Sequence, residues 1–366
     1  MKISRVDTFV IEVPQKYPIA PYQNRYRPAS CTGAWLVRLE ADNGVVGWGE
    51  APQRYLGGAP FTGQEATWLR SQLVGRDPMC IEALYADWNL GGEHLQSGIE
   101  MAMWDLKGKV HGQPLYELLG GCYRNKVELA ACMGIRPPDQ AKQIARLYVE
   151  MGFSTLKTKA GRAVEEDVAM ARAVREAVGD QLQLRIDPNT GYSPEQTLEL
   201  AKDLEPFDLQ YLEQPMPADL LVDSAKLRGQ TTTPLALNES VTNLEQVRRI
   251  LDLQAAAVLL PDTYQCGGIW ACKLITDLAA SAEVPCVMHC AHDFGLKTAA
   301  MLHLVASTPN FALANDCTYY GLEDDIIDRP FQIEKGQLSV PEAPGLGVEI
   351  DVDKVRKYAV DGTRAG

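Results

Sequence analysis

The sequence predicts an α/β protein in which a closed parallel barrel follows a smaller α+β module. From about residue 126, short apolar runs alternate with amphipathic helical stretches every 23–28 residues, the rhythm of repeated βα units. Before that point, strand-like runs come first and helices second, the order of a separate α+β unit. After residue 320 the chain is rich in short strands and loops.

In the first module, residues 1–125, Ile3 to Val13, Ala34 to Glu40 and Gly44 to Trp48 read as strands. The Asp42-Asn43-Gly44 signal joins the last two as a hairpin. Helical periodicity follows at 64–74, 81–88 and 97–110, where Ile99, Ala102, Met103, Leu106 and Val110 share one face.

In the second module, residues 126–320, strands are predicted at 127–132, 154–159, 183–187, 209–213, 234–239, 256–261, 285–289 and 311–314. Helices are predicted between them, at 164–178, 194–205, 243–253, 268–281 and 296–306 among others. Eight units with right-handed crossovers suffice for a (β/α)8 barrel. A doubly wound open sheet competes, but no glycine fingerprint opens an early strand–helix turn, which also disfavours a dinucleotide-dependent dehydrogenase. Segment 321–366, with strand-like Phe331–Ile333, Gln337–Val340 and Gly347–Ile350, is expected to pack back on the first module.

The 366 residues are 46% apolar and carry 48 acidic against 35 basic side chains, a net charge of −13. That balance excludes a nucleic-acid backbone as a natural partner, and an anionic substrate would need a local positive centre. Nine cysteines without a C-x-x-C pair read as reduced, mostly buried thiols. The opening MKISRVDTFVIEVPQ reads as a strand rather than a signal peptide, and no stretch approaches the ~20 apolar residues of a membrane span. The expected compartment is the cytoplasm.

In a parallel barrel the C-terminal ends of the strands share one mouth. Reading those ends in order gives Lys157 and Lys159, Asp187, Glu213, Glu239, Asp262 and His289, a polar or charged group in each of six successive units. Asp187, Glu213 and Glu239 on consecutive strands would repel one another unless a cation joined them. A hard divalent ion with oxygen ligands, Mg2+, resolves this, with Asn189 and Asn238 as nearby oxygen donors. Lys157 and Lys159, two apart on a strand, point to one side. Each is expected to depress the other's pKa, toward a neutral amine able to act as a base. Asp262 and His289 end adjacent strands, so the carboxylate can orient the imidazole. His292 is the rival for that role, whereas His94, His111 and His303 fall on helical patterns and read as structural.

These residues, with the GWGE motif at Gly47–Glu50 and the PGLGVEID segment at 344–351, resemble the enolase superfamily and within it the mandelate racemase/muconate lactonizing enzyme family. The resemblance spans essentially the whole chain. It implies an α+β capping domain completed by the C-terminal segment, and a modified TIM barrel, (β/α)7β. It implies Lys159 as a base on one face of the substrate with Lys157 beside it, and the His289–Asp262 dyad on the other. Asp187, Glu213 and Glu239 become the Mg2+ ligands, with Asn238 an alternative because some relatives use that position. Where the family's racemase has a glutamate at the end of strand eight, this chain has Asn315 and Asp316. That departure weakens mandelate racemisation as the activity.

The shared chemistry the resemblance implies is removal of the proton α to a carboxylate, with the metal spreading the developing charge. Dehydration of an acid sugar to a 2-keto-3-deoxy acid is the favoured outcome. Racemisation or epimerisation is the alternative, with a cycloisomerase or a non-catalytic barrel behind it. The resemblance also makes residues 15–29 a loop closing the site, where Lys16, Tyr17, Tyr22, Arg25, Tyr26 and Arg27 suit a hydroxylated or dianionic small molecule. Arg54 and Tyr55 mark a second closing loop. Relatives suggest a homo-oligomer.

Overall fold

The computed structural model describes residues 1–52, 63–87 and 92–360. Arg54 and Tyr55 lie outside the described residues.

The N-terminal module is built on a three-stranded antiparallel sheet of Ile3–Pro14, Cys31–Ala41 and Val46–Pro52, with the middle strand central. Ile3–Pro14 and Cys31–Ala41 pair along almost their full lengths, and the second and third strands form the hairpin that Asp42-Asn43-Gly44 signals. Gly44 adopts φ 82°, a conformation that glycine reaches without steric cost. Helices Gly63–Leu73, Ile81–Asp87 and Glu93–His111 follow. The long helix lies so close to the third strand that glycine is required there. A Cβ on Gly49 would stand 1.9 Å from the Gly98 carbonyl oxygen, and one on Gly47 would stand 2.1 Å from that of Ala102.

Lys126–Met133 begins the barrel. Thr155–Lys159, Gln183–Asp187, Leu209–Glu213, Leu235–Leu237 and Val258–Leu259 follow as parallel neighbours. The seventh position, around 286–289, holds its place through Val287 N–H donating to Leu259 O (2.9 Å) and His289 N–H to Pro261 O (3.0 Å). Asp316 N–H then donates to Met288 O (3.1 Å), and Asn315–Cys317 pairs with the first strand, closing the ring. The eighth strand is therefore Asn315–Cys317 rather than 311–314. The apolar Phe311-Ala312-Leu313-Ala314 run is the approach to it. Helices follow strands one to seven (Pro138–Glu150, Val164–Val178, Pro194–Leu204, Leu221–Arg228, Leu244–Asp252, Ile269–Ser281 and Gly295–Ser307), whereas strand eight leads only into the single 3-10 turn Tyr319–Gly321 before the chain returns to pair Gln337–Ser339 with strand one. The architecture is (β/α)7β.

The C-terminal segment serves both modules. Gln337–Ser339 pairs antiparallel with the first barrel strand. Beyond it, Leu346 N–H donates to Asp105 on the long capping helix (2.9 Å), and Val360 N–H to Val10 O (2.9 Å).

Two buried acids of the first module cap barrel helices. Glu50 accepts from the backbone N–H groups of Phe294 (2.8 Å) and Lys297 (2.9 Å), and Glu100 from those of Ile269 and Trp270 (both 2.8 Å). These are the first N–H groups of their helices, which have no intrahelical partner. Among the described residues no helix is long and apolar enough to cross a membrane. The nine cysteines are unpaired, with Cys31, Cys80 and Cys122 exposed.

Candidate active site

The period-2 alternation of barrel strands sends Lys157, Lys159, Arg185 and Asp187 into the barrel interior, where Glu213 and Asp316 meet them. Lys157 Nζ lies 2.6 Å from Glu213 Oε1, 2.8 Å from Asp316 Oδ2 and 3.3 Å from Asp187 Oδ2. Lys159, nearer the mouth, donates to Asp187 Oδ2. Arg185, wholly buried, reaches Asp316 Oδ1 at 3.2 Å and lies over the Tyr211 ring.

This arrangement corrects the expectation that Lys157 has a depressed pKa. Burial does disfavour the charge on Lys157, but Asp316, Glu213 and Asp187 outweigh it and hold the ammonium well above the usual lysine range. The carboxylates at hydrogen-bond distance dominate the neighbouring amine. Burial likewise opposes ionisation of Asp187, and Lys159 and Lys157 reverse it, leaving that carboxyl well below the usual range.

The three acids do not converge equally. Oxygens of Asp187 and Glu213 and a ring nitrogen of His289 lie within 4.8 Å of one another, while Glu239 stands further out. Its strand ends at Leu237, so Glu239 projects from the following turn. Asn189 links it to the group, its Nδ2 lying 3.2 Å from Glu239 Oε1 and 3.3 Å from Asp187 Oδ2. Burial, then the Asp187 charge, pushes the Glu239 carboxyl up to about 7. Asn238, the alternative ligand, uses its amide to donate to Leu260 O (2.8 Å) and so ties strand five to strand six.

Two buried carboxylate oxygens, Glu213 Oε2 and Glu239 Oε2, have no hydrogen-bond partner among the described residues. Buried polar atoms are rarely left so, because the lost hydration costs about 1–3 kcal/mol or more. Hard, anionic oxygens with uncommitted lone pairs fit a divalent cation of the Mg2+ kind.

Beside the same acids, His289 Nδ1 lies 2.9 Å from Asp262 Oδ2. A carboxylate can only accept, so Nδ1 carries the proton and Nε2 keeps its lone pair. Burial, then Lys157, holds the imidazole well below the usual histidine range, so it rests neutral. His292, in the next loop at φ 65°, accepts from Gln15 Nε2 (3.0 Å) and packs edge-on against Tyr22 (4.3 Å between centroids). It belongs to the contact between the barrel and segment 15–29. His303 accepts from Tyr116 N–H at Nδ1 and donates from Nε2 to Leu346 O, a structural role.

Of the expected substrate-binding groups, Tyr22 is buried at the mouth, near enough to Lys157 and Asp187 to feel their charges. Arg25 donates to the Tyr26 hydroxyl (2.9 Å) and lies over its ring, a pair formed within the same loop. Asn315 and Asp316 are a correction. Asn315 Oδ1 accepts from Met288 N–H (2.8 Å) and Asp316 pairs with Lys157 and Arg185, so both belong to the barrel wall. Their strand starts later than predicted, which buries both side chains.

Sequence reasoning missed Arg185, Asp293 and Lys297. Lys297 Nζ lies 2.8 Å from both Asp262 Oδ1 and Asp293 Oδ1, and Lys297 is 2% exposed. The available signals were Arg185 two residues before Asp187, on the same side of its strand, and the i,i+4 pair Asp293–Lys297.

A parallel barrel mouth with amine and imidazole groups around buried acids defines a class of barrel enzyme, and the chain's relatives place it within that class. Residues 139–355 match the family described as enolase C-terminal domain-like, and residues 5–120 the mandelate racemase/muconate lactonizing enzyme N-terminal domain. The chain belongs to this enzyme family of the enolase superfamily. It is 30% identical to D-xylonate dehydratase of Haloferax volcanii, over 89% of this chain and 85% of that protein. It is 31% identical to D-galactarolactone cycloisomerase of Agrobacterium fabrum, over 98% and 99%. The crystal structure of N-succinyl Arg/Lys racemase from Bacillus cereus superposes with a TM-score of 0.89 at 27% identity, covering 98% of each chain. Lyases and isomerases thus stand side by side among the relatives.

Proposed function

We propose that the chain is a Mg2+-dependent enzyme that removes the proton α to the carboxylate of an acid sugar and then eliminates water from the β-carbon, giving a 2-keto-3-deoxy acid. The observation that supports this reading is that Lys159, donating to Asp187, and His289, within 4.8 Å of Asp187 and Glu213, meet the same buried acids, and that Glu213 and Glu239 each leave an oxygen unpartnered among the described residues. Asp187, Glu213 and Glu239 would hold the cation, with Asn189 orienting two of them. A bound Mg2+ would supply the positive centre that the −13 chain otherwise lacks for an anionic substrate.

Lys159 takes the α-proton once its ammonium has given up a proton. Lys157 stays charged, pinned by its carboxylates. His289, neutral and bare at Nε2, accepts or returns a proton on the opposite face. In the dehydration the proton given up by Lys159 is first carried to His289 Nε2, and the imidazolium so formed protonates the departing hydroxyl, so that Lys159 ends as the ammonium and His289 as the neutral imidazole. Tyr22 and the 15–29 segment cover the mouth and exclude water, and Arg25 beside Tyr26 suits a polar or anionic distal end. The presence of a proton-transfer group on each side also supports a second reading, epimerisation of a related acid.

Screening mono- and di-acid sugars for keto-acid release with Mg2+, and again after EDTA, tests the proposal. Keto acid formed only with the metal is expected. α-Deuterium in substrate recovered from D2O, without keto acid, would select epimerisation instead.

A further inference from the structure

We propose that Lys297 is a positioning residue for this reaction: its ammonium keeps Asp262 a pure acceptor, which fixes the His289 proton on Nδ1 and leaves Nε2 bare toward the acid cluster. The inference rests on the functional reading above and deepens it. Asp262 is wholly buried, with His289 Nδ1 at Oδ2 (2.9 Å) and Lys297 Nζ at Oδ1 (2.8 Å), where the Tyr264 backbone N–H also donates (3.3 Å). Asp293 Oδ1 also lies 2.8 Å from Lys297 Nζ. Two buried carboxylates therefore stand no further apart than those two short legs, with one cation between them.

Without that cation, like charges in a buried pocket cannot both persist, and one acid takes a proton. A protonated Asp262 would donate to His289 Nδ1 instead of accepting from it. The imidazole proton would then sit on Nε2, and the ring would face the substrate as a donor rather than a base. Lys297 is also held independently of the mouth. It lies in the first turn of the helix Gly295–Ser307, and its backbone N–H donates to Glu50 of the capping module (2.9 Å).

The tautomer can be read without metal or substrate, so failure of this proposal and failure of the reaction reading appear in different experiments. The protein has five histidines, and imidazole-15N-labelled histidine gives separable long-range 1H–15N patterns. His303 serves as an internal reference of the opposite tautomer, because its Nδ1 accepts from Tyr116 N–H. The wild-type protein is expected to show His289 protonated at Nδ1. Lys297→Met is expected to move that proton to Nε2 and to lower kcat at least tenfold with KM within twofold. Lys297→Arg restores both. If Lys297→Met does not fold, Lys297→Gln, whose amide still donates but carries no charge, is expected to give the same tautomer shift. A wild-type His289 protonated at Nε2 would overturn the proposal at once. So would an unchanged Nδ1–H form in either uncharged variant.

Discussion

Glu50 receives the backbone N–H of Phe294 at 2.8 Å, so an acid of the capping module terminates the barrel helix that carries Lys297. The contact joins the two modules at the point where the helix begins, behind the His289 side of the mouth. Burial, then the nearby Asp293, pushes the Glu50 carboxyl up to about 8.

Glu50→Ala is expected to destabilise the fold by about 2–4 kcal/mol, combining a lost cap with buried, unpartnered N–H groups. Urea unfolding measures it. Because the folded-state pKa lies above the unfolded value, the native state holds an extra proton between about pH 4.5 and 8. The Glu50 contribution therefore weakens as pH rises through that window. Glu50→Gln should remove that part of the pH slope, and an unchanged slope would contradict the assignment.

Gly49 faces the Gly98 carbonyl oxygen so closely that no side chain fits. Gly49→Ala should cost at least about 3 kcal/mol, because backbone on both sides must shift, and should lower soluble yield. A variant as stable as the parent would show that the helix and strand can separate without penalty.

The phase of the polar strand ends was legible in the sequence. Lys159, Asp187, Glu213, Glu239, Asp262 and His289 each stand where an apolar run stops. Three things were not legible, each for a physical reason. Glu239 lies outside the tight group because its strand stops at Leu237, and strand ends cannot be read to one or two residues. Asn315 and Asp316 enter the barrel wall because pairing starts later than the apolar run suggests. The roles of Glu50, Glu100 and Lys297 depend on contacts 244, 169 and 35 residues apart in sequence, which no local pattern encodes.

Cation binding should release protons, and more at pH 6 than at pH 8. The Glu239 carboxyl, raised to about 7, holds a proton at pH 6 that the cation must displace. Affinity for Mg2+ should therefore strengthen as pH rises through 7. Calorimetric titration in buffers of different ionisation enthalpy counts the protons, and equal release at both pH values would count against Glu239 as a ligand.

Lys159→Met and His289→Asn should each lower turnover by about 10²–10⁴-fold, the usual range for a lost acid–base group. Their effects should differ in kind. A base confined to one face loses α-hydrogen exchange into D2O in one variant only, which identifies the group that removes the proton. Full exchange in both variants would mean that neither is the base.

Paramagnetic relaxation by Mn2+ tests the centre itself. One Mn2+ per chain, competed by Mg2+ and weakened by Glu213→Gln, should broaden the His289 imidazole signals while leaving the distant, exposed His111 sharp. Absence of a stoichiometric site, or broadening that spares His289, would contradict a cation held by these acids beside that imidazole.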